Sequence, residues 1–258
     1  MSIDFHDQRN QTTYASRTAE EKWMQTIQQF VDIQGKQVLD LGCGGGIYSK
    51  VFAMSGAAHV TAMDFSLEML KGAQANCKEL SNIDYVQGNA WDTGLVDEQM
   101  DVLLERALIH HIDDLDACFQ EANRILKSEG RFIIQDRTPE DCSLPGSETH
   151  IRGYFFEKYP RLLDKEINRR HSSEQVQHVL QDNGFELIAE VSFWETRRVY
   201  AAVNELEEDL LKRTGRSILH DLSDEELVEL VSYIKNKLGD SPSIKEEDRW
   251  TIWIAKKK

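Results

Sequence analysis

The stretch QVLDLGCGGGIYSKVF (37–52) sets four glycines between an apolar run and the start of a helical pattern. Strand, glycine loop and helix in that order let a ligand lie against backbone amides at a helix N-terminus. Glycines after a strand can also simply make a tight turn. A dinucleotide fingerprint needs a third glycine at a fixed place, but Gly42-x-Gly44 leads to Ile47 and Gly44-x-Gly46 leads to Ser49. No Gly-Lys-Ser/Thr follows, so the loop is not a P-loop either. What remains is Asp40-x-Gly42-x-Gly44-x-Gly46. The acid at the strand end repels a pyrophosphate and favours a cation, so the expected ligand is positively charged or ammonium-bearing.

The residues downstream extend this pattern. Asp64 ends the next strand, HVTAMD, where a carboxylate can accept two hydrogen bonds from a ribose diol. Phe65 beside it and Met69 one turn into the following helix could sandwich an adenine. GNAWD (88–92) follows the third strand and brings Asn89, the backbone near Ala90, and Trp91 to the same end. Each has a plainer reading by itself: Asp64 as a helix cap, Met69 as core, Trp91 as core or interface. Their order along the chain is what joins them.

Strands and helices alternate through Asp136. A capping box at Thr18 to Glu21 predicts a helix to about Val31, and Ser66 caps the helix after HVTAMD. IDYVQG and MDVLLE read as strands, DLDACFQEANRILK as a helix, SEG as a turn, and RFIIQD as a strand. Such alternation predicts a parallel sheet covered on both faces. Beyond Asp136 the pattern breaks into loop and short helices. Ser172 then opens a helix with a Ser-x-x-Gln box that stops at Gly184, followed by the strand FELIAEVSFW. A helical segment over 204–238 carries its own box at Ser223 to Glu226, and DRWTIWIAKKK alternates like a last strand.

VLDLGCGGG, VTAMDFSLEML, GNAWD and DLDACFQEANRILKSEGRFIIQD together resemble the ordered motifs of class I S-adenosylmethionine-dependent methyltransferases, most closely the type 11 small-molecule branch. The resemblance covers about 38–136 and, more loosely, the elements after Ser172. It implies a Rossmann-like α/β fold: a seven-stranded, mostly parallel sheet with its last strand antiparallel, helices on both faces, and a helical cap insertion. The implied organisation is an N-terminal lid and helix (1–34), an S-adenosylmethionine-binding core (35–136), a cap insertion (137–171), and a C-terminal part (172–258) with a helical insertion at 204–238. The cofactor's methionine end is then expected against Gly42, Cys43 and Gly44, with Asp40 near its amino group. The family's motif commonly has cysteine or serine at Cys43, which favours packing over a reactive thiol. In related enzymes the N-terminal segment folds over the cofactor, and Tyr14 and Arg17 are the residues here that could reach its carboxylate; a plain helix start explains them almost as well.

The family's methyl group points to the loop after the fourth strand, here LLERALIHHID. Glu105 is placed with the cofactor contacts, and His110 and His111 are the catalytic candidates, matching a His-His pair frequent in this branch. An imidazole takes up a proton near neutral pH and so suits a general base. The plainer alternative is that one histidine caps or packs against the next helix. No His, Cys or carboxylate cluster has metal-ligand spacing, so no metal is expected. Tyr154, Phe155, Phe156, Trp194 and Tyr200 could line an apolar pocket or form the cap's own core.

Thirty basic residues against 45 acidic ones give a net charge of −15, which repels phosphate backbones and argues against nucleic acid as a general partner. The one local exception is EINRRH (166–171), either an anion-binding spot or a solvated helix end. The Asn/Asp-Pro-Pro-aromatic signature of nucleic-acid methyltransferases is absent. Four cysteines without a Cys-x-x-Cys pair suggest free thiols, and the polar start and lack of long apolar runs lead to the expectation of a cytoplasmic protein without membrane contact. The leading expectation is methyl transfer to a small-molecule acceptor. A protein or tRNA methyltransferase and a non-catalytic cofactor-binding regulator are the alternatives. The sequence carries no signal of oligomeric state.

Overall fold

The computed structural model describes residues 21–239 and 241–258. Tyr14, Arg17 and Thr18 lie outside them. The elements run α1 (Glu21–Ile27), β1 (Gln37–Leu41), α2 (Ile47–Met54), β2 (His59–Asp64), α3 (Leu67–Asn76), β3 (Ile83–Gln87), β4 (Met100–Arg106), a 3-10 turn (Ile109–His111), α4 (Leu115–Ile125) and β5 (Leu126–Asp136). They continue with α5 (Pro139–Cys142), α6 (Ile151–Lys158), α7 (Pro160–Asn168), α8 (Ser173–Asp182), β6 (Phe185–Tyr200), α9 (Val203–Leu211), a second 3-10 turn (Ser217–Asp221), α10 (Asp224–Leu238) and β7 (Ile244–Lys257). The seven strands form one sheet in the order β3-β2-β1-β4-β5-β7-β6. Strands β1 to β5 pair in parallel, and β7 is antiparallel to β5. This is the expected Rossmann-like sheet.

Local chemistry accounts for many of the boundaries. The hydroxyl of Ser66 accepts from Met69 N at the start of α3, and the capping boxes of Ser172 with Gln175 and Ser223 with Glu226 are both complete. Helix α1 stops short of the expected Val31, because Phe30 N bonds back to Ile27 O and tightens the chain into a turn. The SEG segment lies within the span of β5. Its pairing with β4 slips between Met100↔Leu126 and Val102↔Arg131, and Glu129 there takes φ 63°.

Two compact units divide the chain. Among the described residues, one holds 21–136, His171–Ser192 and Thr251–Lys258; the other holds Arg137–Arg170 and Phe193–Trp250. The expected insertions at 137–171 and 204–238 thus fall in or at the edge of the second unit, which also takes 193–200 of β6 and 244–250 of β7. In the first unit, Phe119, Phe132, Phe185 and Trp253 anchor the core between the sheet and helices α4 and α8. Trp23, fully buried, meets the edges of Tyr48 and Phe52 and donates to Gln135 Oε1 at 2.6 Å. The second unit has its own core, which contains Tyr154, Phe155, Phe156 and Tyr200. Four of the five aromatics considered as a pocket lining are therefore core residues, while Trp194 remains 36% exposed.

Candidate cofactor and catalytic site

The loop after β1 is pinned to the end of β2. Gly42 N and Cys43 N both donate to Met63 O, at 2.8 and 2.9 Å, and Gly44 N donates to Asp64 Oδ2 at 2.9 Å. The other oxygen of Asp64 accepts from Ser66 N at 2.9 Å. One carboxylate thereby ties together the loops that follow two neighbouring strands. Two glycines are required by different constraints. A Cβ at Gly46 would lie 2.9 Å from Ala73 Cβ, so close packing of α3 excludes it. Gly44 sits at φ 51°, yet a Cβ there would meet nothing within 4 Å, so the space beside the loop is open.

Asp40 is buried and accepts from Ser49 Oγ at 2.5 Å. Burial pushes its carboxyl up to about 6, against the lowering effect of the Ser49 hydrogen bonds, and the nearby Asp64 charge raises it further. Phe65 and Trp91, each 48% exposed, are the open aromatic surfaces on the loops after β2 and β3. Met69 differs from the expected adenine sandwich, since its side chain is buried. Asn89 Oδ1 accepts from Trp91 N and Asp92 N at 2.9 and 2.8 Å, which closes the turn and buries Ala90.

Glu105 does not face the loop's open side. Successive strand side chains point to opposite faces, and Glu105 shares its face with core residue Leu103. It is fully buried, Cys118 Sγ donates to its Oε1 at 3.4 Å, and Oε2 lacks a hydrogen-bond partner. Burial pushes its carboxyl up to about 8. Arg106, on the other face, lays its guanidinium 4.5 Å from the Tyr48 ring centroid.

The two histidines occupy the 3-10 turn after β4, behind Ala107, whose φ of 51° places a non-glycine residue in the left-handed region. His110 Nδ1 lies 2.8 Å from Asp136 Oδ2, and His110 N donates to the same oxygen at 3.3 Å. A carboxylate only accepts, so Nδ1 carries the proton and Nε2 is the acceptor nitrogen of the ring. His111 is exposed, with its ring centroid 4.0 Å from that of His110. His171 Nε2 lies 3.1 Å from both Ile109 O and Ile112 O and fastens the turn from behind.

Residues 39–134 match the family model described as a methyltransferase domain. Phosphoethanolamine N-methyltransferase 1 of Arabidopsis thaliana is 28% identical over 91% of this chain and 45% of its own length. Demethylmenaquinone methyltransferase of Listeria welshimeri is 29% identical over 52% of the chain and 58% of its own length. The chain spans about half the length of these curated relatives. Among solved structures, an S-adenosylmethionine-dependent methyltransferase of Mesorhizobium loti superposes with a TM-score of 0.58 at 17% identity, covering 92% of this chain and 97% of that one. Over residues 39–134 the chain matches a methyltransferase domain, and its fold is that of the solved structure.

Sequence reasoning missed Asp136 and His171 as supports of the histidine turn. A usable signal existed for Asp136: it is an acid at the end of the strand next to the one that precedes the histidines, and β4 and β5 pair in parallel. His171 had no such signal. Its placement depends on where the chain re-enters the first unit.

Proposed function

We propose that the protein transfers a methyl group from S-adenosylmethionine to a small-molecule acceptor. The observation that carries this reading is the glycine loop tied to Asp64 within a segment that matches a methyltransferase domain. The residues fit the cofactor: the space beside Gly44 would take the methionine end, the strand-end carboxylate of Asp64 the ribose hydroxyls, and Phe65 and Trp91 the adenine. Bound there, S-adenosylmethionine supplies an electrophilic methyl group on its sulfonium. The protein's part is to align the acceptor, exclude water and remove a proton. His110 suits the last task, with Asp136 holding its tautomer. The named relatives act on phosphoethanolamine and demethylmenaquinone, both small molecules. The phosphoethanolamine enzymes align over nearly the whole chain and the menaquinone enzyme over about half, which favours a polar amine acceptor.

Incubating a cell extract with methyl-labelled cofactor and separating the products by size tests the reading. Label is expected in the small-molecule fraction, and phosphoethanolamine is expected to accept methyl in preference to demethylmenaquinone. Label in protein or tRNA would overturn the small-molecule acceptor, and cofactor binding without turnover would point to a regulator. Asp64→Ala is expected to weaken S-adenosylhomocysteine binding by ~1.5–3 kcal/mol, because a charged acceptor is lost. Calorimetric titration reads this directly, and an unchanged dissociation constant would remove Asp64 from the site.

A further inference from the structure

Asp136 holds the ring of His110, but the backbone that carries the ring is a single 3-10 turn over Ile109–His111. One turn closes few hydrogen bonds for the residues it orders. Here His111 N donates to Leu108 O at 2.9 Å and Ile112 N to Ile109 O at 3.0 Å. Ala107, just ahead of the turn at φ 51°, itself needs its surroundings to maintain it. Burial of the Ile109 and Ile112 side chains sets the depth of the turn in the core. Apolar contact is non-directional, however, so it does not orient the peptide groups.

His171 supplies that orientation. Its Nε2 lies 3.1 Å from both Ile109 O and Ile112 O, and a carbonyl only accepts, so Nε2 carries a proton and donates to the pair. One of these carbonyls precedes the two histidines and the other follows them, so a single N–H brackets the segment that sets where the His110 ring stands. Helix α8, not the turn, fixes the base of this clamp. His171 directly precedes Ser172, whose capping box with Gln175 starts α8: Ser172 N donates to Gln175 Oε1 at 2.8 Å, and Gln175 N to Ser172 Oγ at 3.2 Å. The helix in turn buries Val176 and Leu180 in the core that holds Ile109 and Ile112. His171 also lines a cavity of about 350 Å³ with Leu115, Gln175 and Val179, so packing by itself does not fix its ring.

We propose that His171 is a positioning residue for methyl transfer, which holds the peptides on either side of the histidine pair so that the His110 ring stays against Asp136. The inference deepens the function proposed above and rests on it at one point, that His110 takes up the proton. A general base works only within hydrogen-bond reach of the proton it removes, and a misplacement of about 1 Å can cost about 10²-fold in rate.

The test measures the initial rate at which labelled methyl enters the small-molecule fraction of a heat-treated cell extract, with the full chain and saturating S-adenosylmethionine. His171→Phe keeps a ring and removes the donor, and the cavity beside it leaves space for the change. It is expected to lower the rate roughly 10- to 100-fold while S-adenosylhomocysteine affinity, read by calorimetry, stays level. His171→Gln, whose amide nitrogen reaches the place of Nε2, is expected to recover most of the rate. In the His110→Ala background, His171→Phe is expected to add about a twofold loss at most, because residues that act as a unit are not additive. His178→Gln, which lines the same cavity and pairs with Asp182 at 3.2 Å, is expected to keep the parent rate. His110→Ala at the parent rate would overturn the base reading and this inference with it. If His110→Ala is slow, any one of four results overturns the inference alone: His171→Phe at the parent rate, His171→Gln as slow as His171→Phe, the same fold-loss from His171→Phe with and without His110, or a loss of S-adenosylhomocysteine affinity equal to the loss of rate. Should His171→Phe melt without cooperativity, His171→Leu, likewise without a donor, takes its place under the same criteria.

Discussion

Replacing His110 with alanine is expected to lower turnover on the identified acceptor by roughly 10²–10⁴-fold while S-adenosylhomocysteine affinity stays level. The expectation follows from the Asp136–His110 contact at 2.8 Å, which sets the tautomer so that Nε2 is the proton-accepting nitrogen. Asp136→Asn should also slow turnover, because an amide can donate to Nδ1 and favour the wrong tautomer. His111→Ala should retain most of the rate, since His111 is exposed and it is His110 Nδ1 that lies 2.8 Å from the Asp136 carboxylate. The pH–rate profile of His110→Ala should lose its acidic limb. Turnover of His110→Ala at the parent rate would mean that catalysis is by positioning and that the histidine is structural.

The second large effect is on stability. Glu105 has its carboxyl held up to about 8 by burial, against an ordinary value of 4.5, so the folded chain holds this proton more tightly than the unfolded chain does. Its contribution to stability is complete below the ordinary value, declines as pH rises, and is gone above about 8. On the order of a few kcal/mol is at stake across that window, because the ionised form would sit in the core with one oxygen unpartnered. Glu105→Gln is expected to flatten the fall in melting temperature between pH 5 and 8, to a first approximation matching the protonated parent. A smaller residual decline should persist from Asp40, whose carboxyl is held at about 6. A parent melting temperature that does not fall over this range, or falls equally in Glu105→Gln, would show that the carboxyl is ionised in the native state.

Much of the fold was legible because its signals are local. The cap at Ser66 and the boxes at Ser172 and Ser223 act through bonds that span three residues, so spacing alone reveals them, and the glycine loop shows in its composition. The alternation of apolar runs likewise reports the strands and the parallel sheet. Asp64 was legible as a strand-end acid, and the structure adds that it already accepts from Gly44 N and Ser66 N.

What the sequence by itself determined is therefore the order of elements, the sheet they build, and the loops that gather at the ends of its strands. Tertiary structure alone decided which way side chains point and which distant groups meet. It turned Glu105 into the core beside Cys118, buried Met69, and set Asp136 against His110 across a gap of 26 residues. It also gathered Arg152, Arg169 and Arg170 around the buried carboxylate of Glu166. The physical reason is range: caps and turns are settled by neighbours in the chain, whereas strand facing, burial and charge balance depend on which elements pack together, and no short window of sequence contains both partners.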